Sequence, residues 1–307
     1  MSIRLRLFTL LMQGLVRPEL ATSRDPAKAR RDFNRLTRFL RVPPFLLHLV
    51  DAGPVPLHWI SVRPRSTDWV ILYLHGGGYI TGSPVTHLGL AGRLAKLTGL
   101  QVALPEYRLA PEHPAPAALD DAREAHAALL VKGYAVGQII LGGDSAGGGL
   151  ALALLADLCA RGLTPAGLFA FSAWTDLAMT GASLEDNEGR DPLLPVRRMP
   201  DLVEMVLGEL DCRDPRVSPL YAQIDRPPPV LLQVGSVEIL LDDSRRMAEV
   251  LRQAGGTVEL AEWPDCPHGW QMLDGYLPEA RLALLEVADF VRRRIEVSSS
   301  TTLPGGS

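Results

Sequence analysis

Cysteine is scarce, and the little there is forms no pattern. Cys159, Cys212 and Cys266 in a chain of 307 residues make an odd count with no C-x-x-C. That excludes a disulfide framework and a zinc knuckle, and it suits a reducing, cytoplasmic compartment. Long apolar runs are missing too: no stretch approaches the roughly 20 apolar residues that a spanning helix needs. Positive charge is not in excess, with 31 Lys and Arg against 35 Asp and Glu and a net charge of −4. A dedicated nucleic-acid binder carries a basic footprint instead. There is no internal repeat, and the histidines show no metal-ligand spacing. What remains is a chain that is 47% hydrophobic, ample for a packed core.

The charge is unevenly placed. Residues 1–41 hold 10 Lys and Arg against 3 acidic residues, a balance of +7, so the remainder carries 21 basic and 32 acidic residues, or −11. Arg4 and Arg6 followed by the apolar run Leu7 to Met12 resemble the start of a signal peptide. Gln13 and Gly14 break that run, and Arg17-Pro18-Glu19 stands where a small-residue cleavage site belongs. Asp25-Pro26 reads as an N-cap with proline at the first helical position. Phe33, Leu36, Phe39 and Leu40 follow at helical spacing, and Val42-Pro43-Pro44 stops the helix. Residues 1–45 therefore read as amphipathic helices whose apolar faces (Phe8, Leu11, Met12, Leu15; Phe33, Leu36, Leu40) dock on the body, with no stable membrane anchor.

From residue 46 short apolar runs alternate with helical stretches. Strands are expected at 56–62, 69–74, 100–104, 138–141, 168–171, 230–234 and 257–262, with helices near 84–98, 115–131, 146–160, 242–254 and 279–294. Continuous apolar strands between helices indicate an α/β fold, a mainly parallel sheet covered on both faces. Residues 177–220 break the rhythm. This stretch is rich in Asp, Glu, Pro and Arg and too long for an ordinary loop, so it reads as a helical insertion over the ligand-binding end of the sheet. That leaves 46–176 and 221–297 as the main domain, and the Ser, Thr and Gly of 298–307 as a disordered tail.

Two glycine-rich turns carry the chemistry. Gly143-Asp144-Ser145-Ala146-Gly147 is a G-x-S-x-G sequence between a strand and an Ala/Leu-rich helix, the setting a nucleophile elbow requires. The helix N-terminus behind Ser145 points free N–H groups and a positive dipole end at an oxyanion. His75-Gly76-Gly77-Gly78 follows another strand, and such a loop supplies one side of an oxyanion hole, the residue after the serine supplying the other. Gly77, Gly78 and Ala146 are the expected donors. A phosphate-binding loop is excluded, because neither turn ends in Gly-Lys-Ser/Thr and the dinucleotide fingerprint is unmatched.

These turns, with Glu106-Tyr107-Arg108-Leu109-Ala110-Pro111-Glu112-His113-Pro114 and the run Gln233 to Asp242, resemble the hormone-sensitive-lipase-like bacterial esterases, an α/β-hydrolase family. The resemblance covers almost the whole chain. It implies hydrolysis of short to medium acyl carboxylic esters, no cofactor, and a helical cap built from the N-terminal helices and an insertion such as 177–220. Two positions depart from the family pattern: Ala115 stands where Phe is usual, and Val237 where Asp is usual, just before Glu238.

A serine nucleophile needs a base, and the chain order of this fold is serine, acid, histidine. Of seven histidines only His268 lies beyond Ser145. His75 is expected to orient its own loop, and His48, His58, His87, His113 and His126 carry no motif. For the acid, Glu238 is the only carboxylate left in its turn and is favoured over Asp242, which would more naturally begin the next helix. Asp144 lies on the wrong side of the serine in chain order and reads as a supporting residue. Tyr79, Trp174, Leu240 and Trp270 are candidates for contact with a small-molecule ester. Last, strand 257–262 would close the sheet, and its unpaired outer edge suggests a homodimer.

Overall fold

The computed structural model describes residues 2–22, 24–62 and 68–301. Among them eight strands form one sheet: β1 (Leu47–Asp51), β2 (Leu57–Ser61), β3 (Val70–Leu74), β4 (Gln101–Pro105), β5 (Ile139–Asp144), β6 (Gly167–Phe171), β7 (Val230–Gly235) and β8 (Val258–Trp263). Their spatial order is β1-β2-β4-β3-β5-β6-β7-β8. The first two strands are antiparallel and the rest parallel, as in Leu74↔Gly143 between β3 and β5.

The helices are α1 (Ile3–Leu11), α2 (Arg17–Thr22), α3 (Pro26–Thr37), α4 (Leu88–Thr98), α5 (Ala117–Val131), α6 (Ala146–Ala160), α7 (Ser183–Asp186), α8 (Met199–Leu207), α9 (Leu241–Gln253) and α10 (Pro278–Thr301). A wider turn, Met12–Val16, joins α1 to α2. Asp25 caps α3 through a 2.9 Å bond from the Ala27 N–H, and Pro26 opens the helix. The last helix takes in residues 298–301 of the expected disordered tail; 302–307 lie outside the described residues.

Alternation along each strand divides the core in two. Val70, Leu72 and Leu74 face one layer with α5, α6 and α9, whereas Ile71 and Tyr73 face α4 and α10. β3, β5, β6 and β7 are buried on both faces, which is why they read as unbroken apolar runs. β1 was not foreseen. Its Leu49 and Val50 are exposed, so no buried face imposes an alternating pattern on the sequence.

The insertion supplies α7 and α8, and Leu184, Met199 and Val206 bury into the larger core cluster. Arg17 donates to the carbonyl of Glu188 at 2.6 Å, so the N-terminal segment touches this insertion. Arg30 reaches the carbonyls of Ile80 and Ala110 at 2.8 and 2.9 Å and pairs with Glu112. The expected docking of the N-terminal apolar faces is met only in part: Met12 is buried and Phe8 and Leu40 pack in a buried cluster with Leu5, which lay outside the expected faces, whereas Leu11, Leu15 and Leu36 stand exposed.

Candidate active site

β5 ends at Asp144 and α6 begins at Ala146, so Ser145 occupies the whole turn, at φ 55 and ψ −124. A non-glycine residue holds such a backbone only where its surroundings fix it. Here the Ser145 N–H donates to Phe171 O at 2.8 Å, and its carbonyl accepts from the N–H groups of Gly149 and Trp174 at 3.0 and 2.9 Å. Gly147 is needed because a Cβ there would overlap the carbonyl oxygens of Leu74 and His75. The elbow and the His75–Gly78 loop are thus in backbone contact.

The Ser145 hydroxyl lies 2.9 Å from His268 Nε2, and His268 Nδ1 lies 2.8 Å from Glu238 Oε2. With Nδ1 protonated, the imidazole donates to Glu238 and accepts from Ser145. Glu238 is fully buried, and its other oxygen accepts from Ser172 Oγ at 2.7 Å and from the Gly235 N–H at 2.6 Å. Asp242 faces elsewhere, accepting from the Ser183 N–H at 3.0 Å. Burial pulls the His268 pKa down, but the hydrogen bond to Glu238 and the charges of Glu238, Asp191 and Asp144 outweigh it, so the net shift is upward.

Gly77, at φ 125, could not carry a side chain, since a Cβ there would overlap Thr81. Its carbonyl is engaged by the N–H groups of Ile80 and Thr81, which turns the peptide planes of the loop. Among the described residues the N–H groups of Gly77, Gly78 and Ala146 have no protein acceptor. Asp144 holds this loop: Oδ1 accepts from the Gly76 N–H at 3.0 Å and from Tyr73 OH at 2.8 Å. His87 Nε2 stands 3.4 Å from its other oxygen. His75 accepts at its backbone oxygen from Tyr107 OH at 2.6 Å and stacks on that ring. Burial and the neighbouring His87 push the His75 pKa down to about 3, so it stays neutral.

The candidate substrate contacts separate into two groups. Tyr79 and Trp174 face each other with ring centroids 6.3 Å apart, and Leu240 packs in the same core cluster. Trp270 does not join them. It is buried with Leu5, Cys266 and Leu277 in a different cluster, beside Trp263, away from the other three. Tyr79, Leu119, Leu150, Val206 and Val217 line a crevice with room for little more than a water molecule. Three buried residues were not anticipated: Ser172, Asn187 and Asp191. Ser172 follows the apolar run of β6 at the sheet end where ligands bind, a signal that could have marked it. Asn187 and Asp191 lie in the insertion and carry no motif. Among the described residues no cluster of His, Cys, Asp and Glu could hold a metal ion.

Fold and site together define an α/β hydrolase. Residues 71–272 match the alpha/beta hydrolase fold family, and the chain belongs to its hormone-sensitive-lipase-like branch. It is 41% identical over 283 residues to an esterase of Acinetobacter venetianus, covering 91% of this chain and 93% of that one. It is 40% identical over 255 residues to an acetyl-hydrolase of Streptomyces hygroscopicus, covering 82% and 84%. The crystal structure of an esterase from the bacterial hormone-sensitive lipase family superposes with a TM-score of 0.90 at 35% identity, covering 96% and 99%. This protein is a carboxylic-ester hydrolase.

Proposed function

We propose that the protein cleaves short to medium acyl esters through Ser145, His268 and Glu238, by way of an acyl-enzyme. The observation that carries this reading is the relay from the Ser145 hydroxyl to His268 (2.9 Å) to Glu238 (2.8 Å) beside free backbone donors. His268 Nε2 takes the hydroxyl proton as Ser145 Oγ attacks the ester carbonyl. Glu238 stabilises the imidazolium that forms. The N–H groups of Gly77, Gly78 and Ala146 bind the developing oxyanion, each such donor typically contributing ~10²–10³ in rate. His268 then protonates the leaving alcohol, and water attacks the acyl-enzyme by the same route.

The name of the similar Streptomyces acetyl-hydrolase agrees with a short acyl group. Residues 1–45 and 177–220 read as the cap, a reading supported by the bond from Arg17 to the Glu188 carbonyl, which joins the two segments, and by that from Arg30 to the Ala110 carbonyl, which joins the first to the main domain. Cys159, Cys212 and Cys266 are free thiols, which supports a reducing, cytoplasmic location. An acyl-length series with soluble p-nitrophenyl esters tests the substrate class. Acetate to hexanoate esters are expected to turn over fastest, and a kcat/KM that keeps rising beyond decanoate would contradict it.

A further inference from the structure

Helix α1 is apolar on two faces, and only one is covered. Leu5 is fully buried, with Phe8 beside it, in a cluster with Trp270 and Leu277, and Met12 is buried further along. The opposite face carries Ile3, Leu7, Leu10 and Leu11, at the i, i+4, i+7, i+8 spacing of a single helical stripe. They stand 77%, 64%, 64% and 51% exposed, and Leu15 in the next turn stands 66% exposed. Arg4 and Arg6 border this stripe, one on each side; both are exposed, and among the described residues neither pairs with a carboxylate. Phe39, 77% exposed, adjoins Leu40, which packs in the same cluster as Leu5 and Phe8.

An outward apolar stripe of this length on a docked helix marks an interaction surface. Charge decides which one. Residues 1–41 carry +7 and the rest of the chain −11. A second copy laid on this face would bring like charge against like charge. An anionic surface is attracted by the same arginines. We propose that α1 is an interfacial helix that lays Ile3, Leu7, Leu10, Leu11 and Leu15 into the surface of an anionic lipid bilayer, with Arg4 and Arg6 at the headgroups. The attachment is peripheral and reversible, because a single stripe reaches only the headgroup and acyl boundary. Among the described residues no helix is long and apolar enough to cross a membrane. Leu5 and Phe8 keep the helix on the body, so the enzyme binds folded.

Co-sedimentation of the full chain with mixed phosphatidylglycerol and phosphatidylcholine vesicles, and with phosphatidylcholine alone, tests the proposal beside the double variant Leu7→Glu, Leu11→Glu. Wild type is expected on the anionic vesicles, releasing as salt rises. The double variant is expected to bind roughly tenfold more weakly or worse. Both proteins should hydrolyse a soluble p-nitrophenyl ester equally, which shows the variant folded. The proposal is overturned if wild type stays in the supernatant at low ionic strength, or if the variant binds as well as wild type. It is overturned equally if the anionic vesicles are not preferred, or if light scattering shows a dimer that these substitutions dissolve.

Discussion

Glu238 and Asp242 stand four residues apart and meet different partners. Glu238 ends on His268 and is steadied by Ser172 and Gly235, whereas Asp242 accepts from Ser183 and lies 3.6 Å from Arg245. Glu238→Gln keeps the shape but removes the charge, and kcat is expected to fall about 10⁴-fold, as typically follows when a triad carboxylate becomes an amide. Asp242→Asn should change kcat only a few-fold. The pH profile carries a second signature. His268 works as a base only when neutral and its pKa is raised, so kcat/KM of wild type should fall with decreasing pH through a midpoint above 6.5. Without the Glu238 charge the midpoint should move down from its wild-type position, because burial disfavours the imidazolium. Pre-steady-state and pH-rate measurements on the two variants check both statements, and the opposite ranking would move the acid to Asp242.

The insertion acts on the site as an element. Asn187, buried after α7, donates from Nδ2 to the carbonyls of Ser236 and Glu238 at 3.2 and 2.8 Å. Asp191 accepts from the N–H of Ile239 at 2.9 Å and from those of Leu193 and Leu194. The turn that carries Glu238 is therefore held from the insertion. Asn187→Ala removes both bonds and leaves the Glu238 carbonyl only the 3.3 Å bond from the Leu241 N–H, a loss of about 0.5–1.5 kcal/mol per bond. It should lower kcat about ten- to a hundredfold while KM stays close to wild type, since misplacement and not substrate contact is at fault. Steady-state kinetics with a thermal melt read both effects, and a change confined to KM would contradict the positioning role. None of this was legible in the sequence. The central strands and α6 were, because burial on both faces makes an unbroken apolar run and the G-x-S-x-G turn fixes where strand gives way to helix. His268 was legible by chain order alone. Asn187 and Asp191 act through bonds to distant backbone, which leave no local pattern, and Ser172, bonded to the Glu238 carboxylate, was marked only by its place at the end of β6; β1 lacks a buried face, and Trp270 is an aromatic whose cluster only the tertiary fold decides.

At the scale of the molecule the sheet has two ends. β8 bonds β7 on one side, from Val230↔Val258 to Gly235↔Trp263, and among the described residues has no strand on the other. Arg245 and Arg293 tie its Glu262 and Glu259 to α9 and α10, each at 2.7 Å. Those pairs occupy side chains; Arg252 donates to the Val258 carbonyl at 3.2 Å, and the rest of the outer backbone edge is left for another strand. We propose a two-fold antiparallel pairing of β8 between copies, a closed and self-complementary contact. Light scattering at micromolar concentration should give a dimer mass for wild type and a monomer for Val258→Pro, which removes a backbone donor. A monomer mass for both would remove the proposal.

The account rests on one hydroxyl at the end of β5, and replacing it is the most direct trial. Hydrolysis of p-nitrophenyl acetate by Ser145→Ala, measured on protein whose circular dichroism and melting match wild type, should fall by about 10⁴-fold or more. A correctly folded Ser145→Ala that keeps most of its activity would contradict the assignment of Ser145 as nucleophile.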